Sequence, residues 1–327
     1  MKVYRDEDAN LDLLSGKRIA ILGFGSQGKA QALNLRDSGL EITIGLRPQS
    51  PSRKKAEQLG FEVQSLSESC SGAELISFLI PDQVQKEVYQ EEVRKNLKEG
   101  KCLIFAHAFS VHFKLVESPD HVDVILVAPH GPGEVMRKRF QAGLGVSGFV
   151  GVFENRTGKA LQKALAYAKG IGLTRTGVLE TTFEHEALGD LFGEQAVLCG
   201  GLAELLKAGF ETLVGEGLPP ENAYLECIHQ LDLIVDLIKR FGIAGMYSRI
   251  SKLAEFGSYV NGPRIIGERT RMAMRAILEE IKKGEFTEKF MKSYHKGFDA
   301  FKEKRQKEAA HPVNQVFRNI GESFSSE

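Results

Sequence analysis

The sequence predicts an α/β domain built on a parallel sheet, followed by an all-α domain. Three observations carry this. Short apolar runs bounded by glycine or proline recur at residues 19–22, 41–46, 73–80, 102–106 and 122–128, with helix-like stretches between most of them. Runs of that length and flanking read as buried parallel strands. A G-x-G-x-x-G sequence at 23–28 stands between the first run and a helix-like stretch, and from residue 183 onward the pattern is helical. The length of 327 residues suits two domains, since a domain commonly takes roughly 150. The boundary falls at 181/182, giving domains 1–181 and 182–327.

Composition narrows the partners. There are 43 basic and 43 acidic residues, so nothing points to a nucleic-acid groove or a membrane surface. A small polar metabolite fits better. The four cysteines, Cys70, Cys102, Cys199 and Cys227, have no metal-ligand spacing, and three lie in or beside apolar runs; buried free thiols in a reducing compartment are expected. The first residues are too charged for a signal peptide, and no apolar run approaches the ~20 residues that span a bilayer. The expected location is the cytoplasm.

In chain order, residues 16–18 lead into the strand at 19–22 and then Gly23-Phe24-Gly25-Ser26-Gln27-Gly28. Strand before and helix after is the context that motif requires. Gly23 allows the tight turn, Gly25 lets the backbone approach a pyrophosphate, and Gly28 permits close helix–strand packing. The helix N-terminus adds unpaired N–H groups for the phosphates. This is the signature of a Rossmann-type dinucleotide site. After the strand at 41–46, where an NAD site usually carries an acid, the chain reads Arg47-Pro48-Gln49-Ser50-Pro51-Ser52-Arg53. An arginine and two hydroxyls suit a 2′-phosphate, so NADPH is expected over NADH. His107 and His130 each follow a strand, where ligands of open α/β sheets lie. Residues 148–179 supply a last strand, a helix and a connection, and the sheet is expected to end there.

In the second half, Asp190 and Glu194 are four apart on a helix otherwise small or apolar. They share one face. Burying two carboxylates is costly without a partner, and a hard cation such as Mg2+ suits oxygen ligands. Glu226 and Gln230 repeat the spacing on the helix expected at 222–243, though Gln230 brings no charge. Pro219-Pro220-Glu221 marks that helix start. Residues 290–307 read as one basic, amphipathic surface helix, and the tail from 310 as loosely held.

At these spacings GFGSQGKA, RPQSPS, PDQVQ, FAHAFSVHF, VAPHGPGEVMR, TTFEHEALGDLFGEQAVLCGG, AGFETLVGEGLPPENAYLEC and GPRII follow one another along nearly the whole chain. In them the chain resembles the short-form ketol-acid reductoisomerases of branched-chain amino-acid synthesis. The resemblance implies a Rossmann domain, a knotted all-helical domain, and homodimers or higher homo-oligomers with active sites shared between chains. It implies conversion of 2-acetolactate or 2-aceto-2-hydroxybutyrate by Mg2+-dependent alkyl migration and NADPH reduction to a 2,3-dihydroxy acid. Residue by residue, Phe24, Gly25, Ser26, Gln27, Arg47, Ser50, Ser52, Asp82, Gln83, Val84, Gln85 and Gly133 match cofactor-contact positions. His107 matches the catalytic histidine. Asp190 would bridge two metals, Glu194 would bind one of them, Glu226 from a second chain the other, and Ser251 the substrate carboxylate.

The chain also departs from the family pattern. His130 stands where the family has a lysine, and Gln230 where it has a fourth metal carboxylate. Arg249 replaces a small hydroxyl residue, and FAHA replaces FAHG. Three readings follow: a reductoisomerase with a variant site, a diverged NADPH-dependent reductase of 2-keto acids or imines that lacks the migration, and a non-catalytic NADPH-binding protein.

Overall fold

Ile19, Ile21, Ala20 and Leu22 alternate between two buried layers, and that alternation organises the first half of the chain. A computed structural model describes residues 2–321. The chain divides into two compact units, Met1–Ala187 and Leu188–Glu327.

Unit 1 holds strands β1 (Val3–Tyr4), β2 (Arg18–Leu22), β3 (Glu41–Gly45), β4 (Glu62–Gln64), β5 (Leu75–Phe78), β6 (Cys102–Phe105), β7 (Asp123–Pro129), β8 (Gly148–Glu154) and β9 (Val178–Thr181). They form one sheet in the order β1-β9-β8-β7-β6-β5-β2-β3-β4. From β4 to β7 every pairing is parallel, as in β2–β5 with Ile19 opposite Leu75. The strand expected from residue 148 is not the last of the sheet. β8 runs antiparallel to β7, β9 continues parallel to β8, and β1 closes the edge antiparallel to β9. The short strands β1 and β9 are too brief to show a period in sequence.

The helices of this unit are α1 (Ser26–Asp37), α2 (Arg53–Gln58), α3 (Leu66–Gly72), α4 (Asp82–Val88), α5 (Phe109–His112), α6 (Gly133–Gln141), α7 (Ala160–Gly170) and α8 (Phe183–Phe192). Ala30, Leu33, Met136, Ala164 and Tyr167 of α1, α6 and α7 pack on one face with Ile21 and Ile104. Leu66, Cys70, Val111, Phe183 and Ala187 cover the other with Phe78, Phe105 and Leu126. α3 begins with a reciprocal cap, Ser65 accepting from the Glu68 amide and Glu68 from the Ser65 amide. The order of strands reverses at β2, which fixes the crevice at the C-terminal ends of β2 and β5 as the place a ligand would lie.

Unit 2 is helical: the end of α8, then α9 (Gly200–Gly215), α10 (Pro220–Tyr224), α11 (Leu231–Tyr247), α12 (Lys252–Ile265), α13 (Glu268–Lys282), α14 (Glu285–His295), α15 (Asp299–Ala309) and α16 (Pro312–Val316). Pro220 opens α10 as expected. The single helix expected over 222–243 is instead broken at Gln230 (ψ 5°) and kinked at Gly242 (φ 72°). The surface helix expected over 290–307 is split, because Gly297 and Phe298 both adopt positive φ. Up to residue 321 the tail is not loose: Val316 packs with Phe210, Ala223 and Tyr224. Residues 322–327 lie outside the described residues. Many large apolar side chains of this unit stay exposed within one chain, including Leu198, Leu233, Ile243, Leu253 and Phe256.

Candidate active site

The glycine turn after β2 has the form its spacing predicts. Gly23 has φ 98°, and a side chain there would collide with the Leu79 carbonyl; one at Gly28 would collide with the Gly23 carbonyl. Gly25 is different. Nothing lies within 4 Å of where its Cβ would be, so this side of the turn is open backbone leading into the N-terminus of α1. That is the cradle a pyrophosphate needs. The Gly23 amide donates to Gly45 O at 3.1 Å, tying the turn to the end of β3. A side chain on Gly133 would collide with the Ser26 carbonyl, so the start of α6 lies directly on the turn. Phe24 is buried edge-on to Phe61, and its ring packs in the core.

The other expected cofactor positions follow β3 and β5, the two strands that flank β2. Arg47 is exposed beyond β3, the Ser50 amide donates to its carbonyl at 3.0 Å, and the Ser52 amide donates to Ser50 Oγ at 3.3 Å. Arg53 is turned away: its guanidinium donates to Val63 O and Gln64 O and pairs with Glu57. Asp82, Gln83, Val84 and Gln85 form the first turn of α4. Gln85 is buried; its Nε2 donates to Ile80 O and Asp82 Oδ1, while its Oε1 has no partner among the described residues.

His107 follows β6, and His130 follows β7. These strands are hydrogen-bonded neighbours, with Phe105 opposite Leu126. The His107 ring nitrogen Nδ1 lies 3.1 Å from Glu186 Oε2, which also accepts the Ala108 amide at 2.8 Å. A carboxylate only accepts, so Nδ1 carries a proton toward Glu186 and Nε2 is the ring nitrogen turned away from it. The Glu186 side chain is 5% exposed. Sequence reasoning missed Glu186, although 186, 190 and 194 recur at one-turn spacing along TTFEHEALGDLFGEQ. His130 is exposed, its amide donates to Ser147 O, and its ring stands edge-on to Phe149 at 4.4 Å.

In unit 2, Asp190 and Glu194 are both exposed. The expectation that burial forces a cation between them is therefore not met within one chain; what remains is their spacing and ligand chemistry. Glu194 lies in a widened turn in which the Cys199 amide donates to its carbonyl at 3.0 Å, five residues back. Such bulges recur at functional sites. Glu226 lies in a second widened turn over Leu225–His229. Gln230 Nε2 donates to Glu226 Oε2 at 3.1 Å and to its carbonyl, so the glutamine is an amide donor to the carboxylate. Among the described residues no three His, Cys, Asp or Glu side chains are grouped to hold a metal. Ser251 caps α12, its Oγ accepting from the Ala254 amide at 3.1 Å, which leaves its proton to donate. Arg249 stacks on Phe241 at 3.8 Å and donates to Gly245 O. Cys70 and Cys102 are buried, and burial pushes both thiols up to about 12. Cys199 is exposed and Cys227 half-buried, against the expectation of burial; all four are free. Among the described residues no helix is long and apolar enough to cross a membrane.

The fold and its matches to known proteins make the chain an oxidoreductase that uses a nicotinamide cofactor. Residues 13–177 match the acetohydroxy acid isomeroreductase NADPH-binding domain, and residues 183–325 the ketol-acid reductoisomerase C-terminal domain. The chain belongs to the ketol-acid reductoisomerase family. It is similar over 100% of both chains, at 42% identity and TM-score 0.95, to the structure of an NADH-preferring ketol-acid reductoisomerase from an uncultured archean. Two more distant structures share the fold alone. One is a semialdehyde dehydrogenase NAD-binding protein from Cupriavidus necator (17% identity, 82% of this chain and 99% of that one, TM-score 0.63). The other is Plasmodium falciparum pyrroline carboxylate reductase (15% identity, 83% and 98%, TM-score 0.52).

Proposed function

We propose that this chain converts 2-acetolactate, or its ethyl homologue 2-aceto-2-hydroxybutyrate, to the 2,3-dihydroxy acid by alkyl migration followed by reduction with NADPH, with Mg2+ required. The observation that carries this reading is His107, held by Glu186 beyond the C-terminal end of β6, on the side of the sheet where the open glycine turn follows β2. Dinucleotide cradle and proton-handling group thus share one rim. Asp190 and Glu194, with Glu226 of a second chain, have the oxygen donors that suit Mg2+. Bound there, divalent ions supply Lewis acidity for both the hydroxyl and the carbonyl of the substrate.

The chain's own residues do the rest. His107 takes or returns the proton of the reacting oxygen through Nε2, because Glu186 fixes Nδ1–H. The Ser251 hydroxyl donates to the substrate carboxylate. Arg47, Ser50 and Ser52 face the ribose 2′-phosphate, which favours NADPH, in contrast to the NADH preference of the archaeal relative. The exposed apolar side chains of α9, α11 and α12 support a homodimer in which two chains complete each site.

A second reading is favoured by Gln230, which adds no negative charge beside Glu226 and donates to its carboxylate: a reductase that has kept the hydride step and lost the migration. The test is NADPH oxidation with Mg2+ on 2-acetolactate and on 3-hydroxy-3-methyl-2-oxobutyrate, the already migrated ketone. Turnover of both supports the reductoisomerase; turnover of the ketone alone supports the reductase; turnover of neither overturns both.

A further inference from the structure

A one-directional chain of hydrogen bonds crosses the core of unit 1 and ends on the loop that carries His130. The Tyr167 hydroxyl, fully buried on α7, lies 2.9 Å from Gln31 Oε1 and 3.1 Å from Ser77 Oγ on β5. A phenol has one proton, and an amide oxygen only accepts. Tyr167 therefore donates to Gln31, and Ser77 donates to Tyr167. Burial raises the Tyr167 pKa, so the proton stays in place. Gln31 Nε2 then donates to Gln27 Oε1 at 3.1 Å, and Gln27 Nε2 donates to Gly131 O at 2.8 Å. Every link points the same way, an arrangement in which each bond polarises the next.

The chain starts deep and ends at the rim. Gln31 is 1% exposed, whereas Gln27 sits on the first turn of α1, beside the open glycine turn. Its target, Gly131, lies between His130 and the start of α6. The far side of α6 is tied to the same helix α1, where Arg137 Nη1 donates to Asn34 Oδ1 at 2.9 Å and Nη2 pairs with Asp37. Without the Gln27 link, the segment 130–132 would keep only its backbone bonds, from the His130 amide to Ser147 O at its start and from the Met136 amide to Pro132 O at its end, and the Gly131 carbonyl between them would lose its side-chain donor. The segment's register against the glycine turn would be loosely set.

We propose that Tyr167, Gln31 and Gln27 are positioning residues, which fix the His130 loop against the dinucleotide turn and thereby the geometry of the reduction. The functional half of this rests on the reading of the site given above. It also reassigns Gln27: its side-chain oxygen and one amide proton hold the loop, so its contribution is to turnover more than to cofactor affinity.

The experiment uses full-length Gln31→Met and Tyr167→Phe. Neither residue touches the loop, and the second removes only a hydroxyl should the first fail to fold. Amide hydrogen exchange is followed at His130 and Met136, which donate to Ser147 O and Pro132 O. NADPH affinity and kcat on 3-hydroxy-3-methyl-2-oxobutyrate at saturating NADPH are measured alongside. Expected are exchange at His130 faster by about 10-fold, kcat lower by about 10-fold, as for a small misplacement of a reacting group, and an NADPH Kd changed by less than about 3-fold. Unchanged exchange in a folded variant overturns the proposal. So does faster exchange with unchanged kcat, or a loss confined to NADPH affinity. If the unmutated protein turns over no ketone, the function given above fails, while the exchange result still decides whether the relay holds the loop.

Discussion

Glu186 joins His107 and Ala108 through one carboxylate, accepting from the ring nitrogen at 3.1 Å and from the backbone amide at 2.8 Å. One acid therefore sets both the tautomer and the orientation of the histidine. Glu186→Gln is expected to lower kcat by about 10²-fold, the lower end of what a positioned acid–base group contributes. NADPH affinity should be unchanged, as a fluorescence titration would show; equal losses in both would mean that the residue serves only the fold.

The glycine turn offers a contrast between two alanines. At Gly28 a methyl strikes the Gly23 carbonyl, and at Gly25 it enters open space. Gly28→Ala should lower the melting temperature even without cofactor. Gly25→Ala should melt within a degree or two of the unmutated protein yet bind NADPH at least about 10-fold more weakly, because its methyl takes the place of the phosphate. Tight binding by Gly25→Ala would remove the pyrophosphate from this turn.

Arg47 is the exposed cation of the β3–α2 loop, since Arg53 is engaged with β4. Arg47→Ala should reduce the ratio of kcat/KM for NADPH to that for NADH by about 10-fold, one charge-assisted phosphate contact. A ratio that does not move places the discrimination elsewhere.

Gln230 donates to Glu226 at 3.1 Å. In Gln230→Glu that bond becomes a repulsion between like charges one turn apart, worth about 0.2–0.5 kcal/mol. The variant should melt below the unmutated protein in EDTA and gain more from added Mg2+. Equal Mg2+ shifts would mean that position 230 does not face the ion.

Asp123 is fully buried and accepts from Lys163, from Thr157 Oγ1, and from the Arg156 and Thr157 amides. Burial alone would raise its pKa; the bonds from Lys163 and Thr157 outweigh that and hold it below the usual carboxylate value. With the folded value depressed, its stabilisation is complete above the ordinary carboxylate pKa of about 4 and is lost as pH falls toward the lowered value. Asp123→Asn should cost about 3–5 kcal/mol at pH 7, because the Lys163 ammonium is left buried without its counter-charge. Denaturant melts should show that gap narrowing below about pH 4; a gap independent of pH would mean that the pair is not what holds this corner.

Legibility in the sequence followed the range of the interaction. The glycine turn and the strands at 19–22 and 102–105 were readable because their causes lie within a few residues. Glu186 was not, since its partner is 79 positions away. The break at Gln230 interrupts a helical pattern that continues on both sides of it, and the split at Gly297–Phe298 interrupts a basic amphipathic one; backbone conformation shows both. Asp190 and Glu194 have apolar neighbours in sequence yet are exposed, because in a helical unit with so many outward apolar groups apolar surroundings do not imply an interior.

The outermost strand of the sheet pairs Val3 with Leu179, so a segment made early in this unit waits for one of the last to be made. Closing so long a loop is slow, because the chain entropy is lost before the contact forms. During synthesis β2, β3 and β5 can assemble early, while β8 and β9 present an open edge until the N-terminal segment docks. A fragment that stops short of Val178 never acquires the partner for β1, and its sheet keeps an unpaired edge open to other chains.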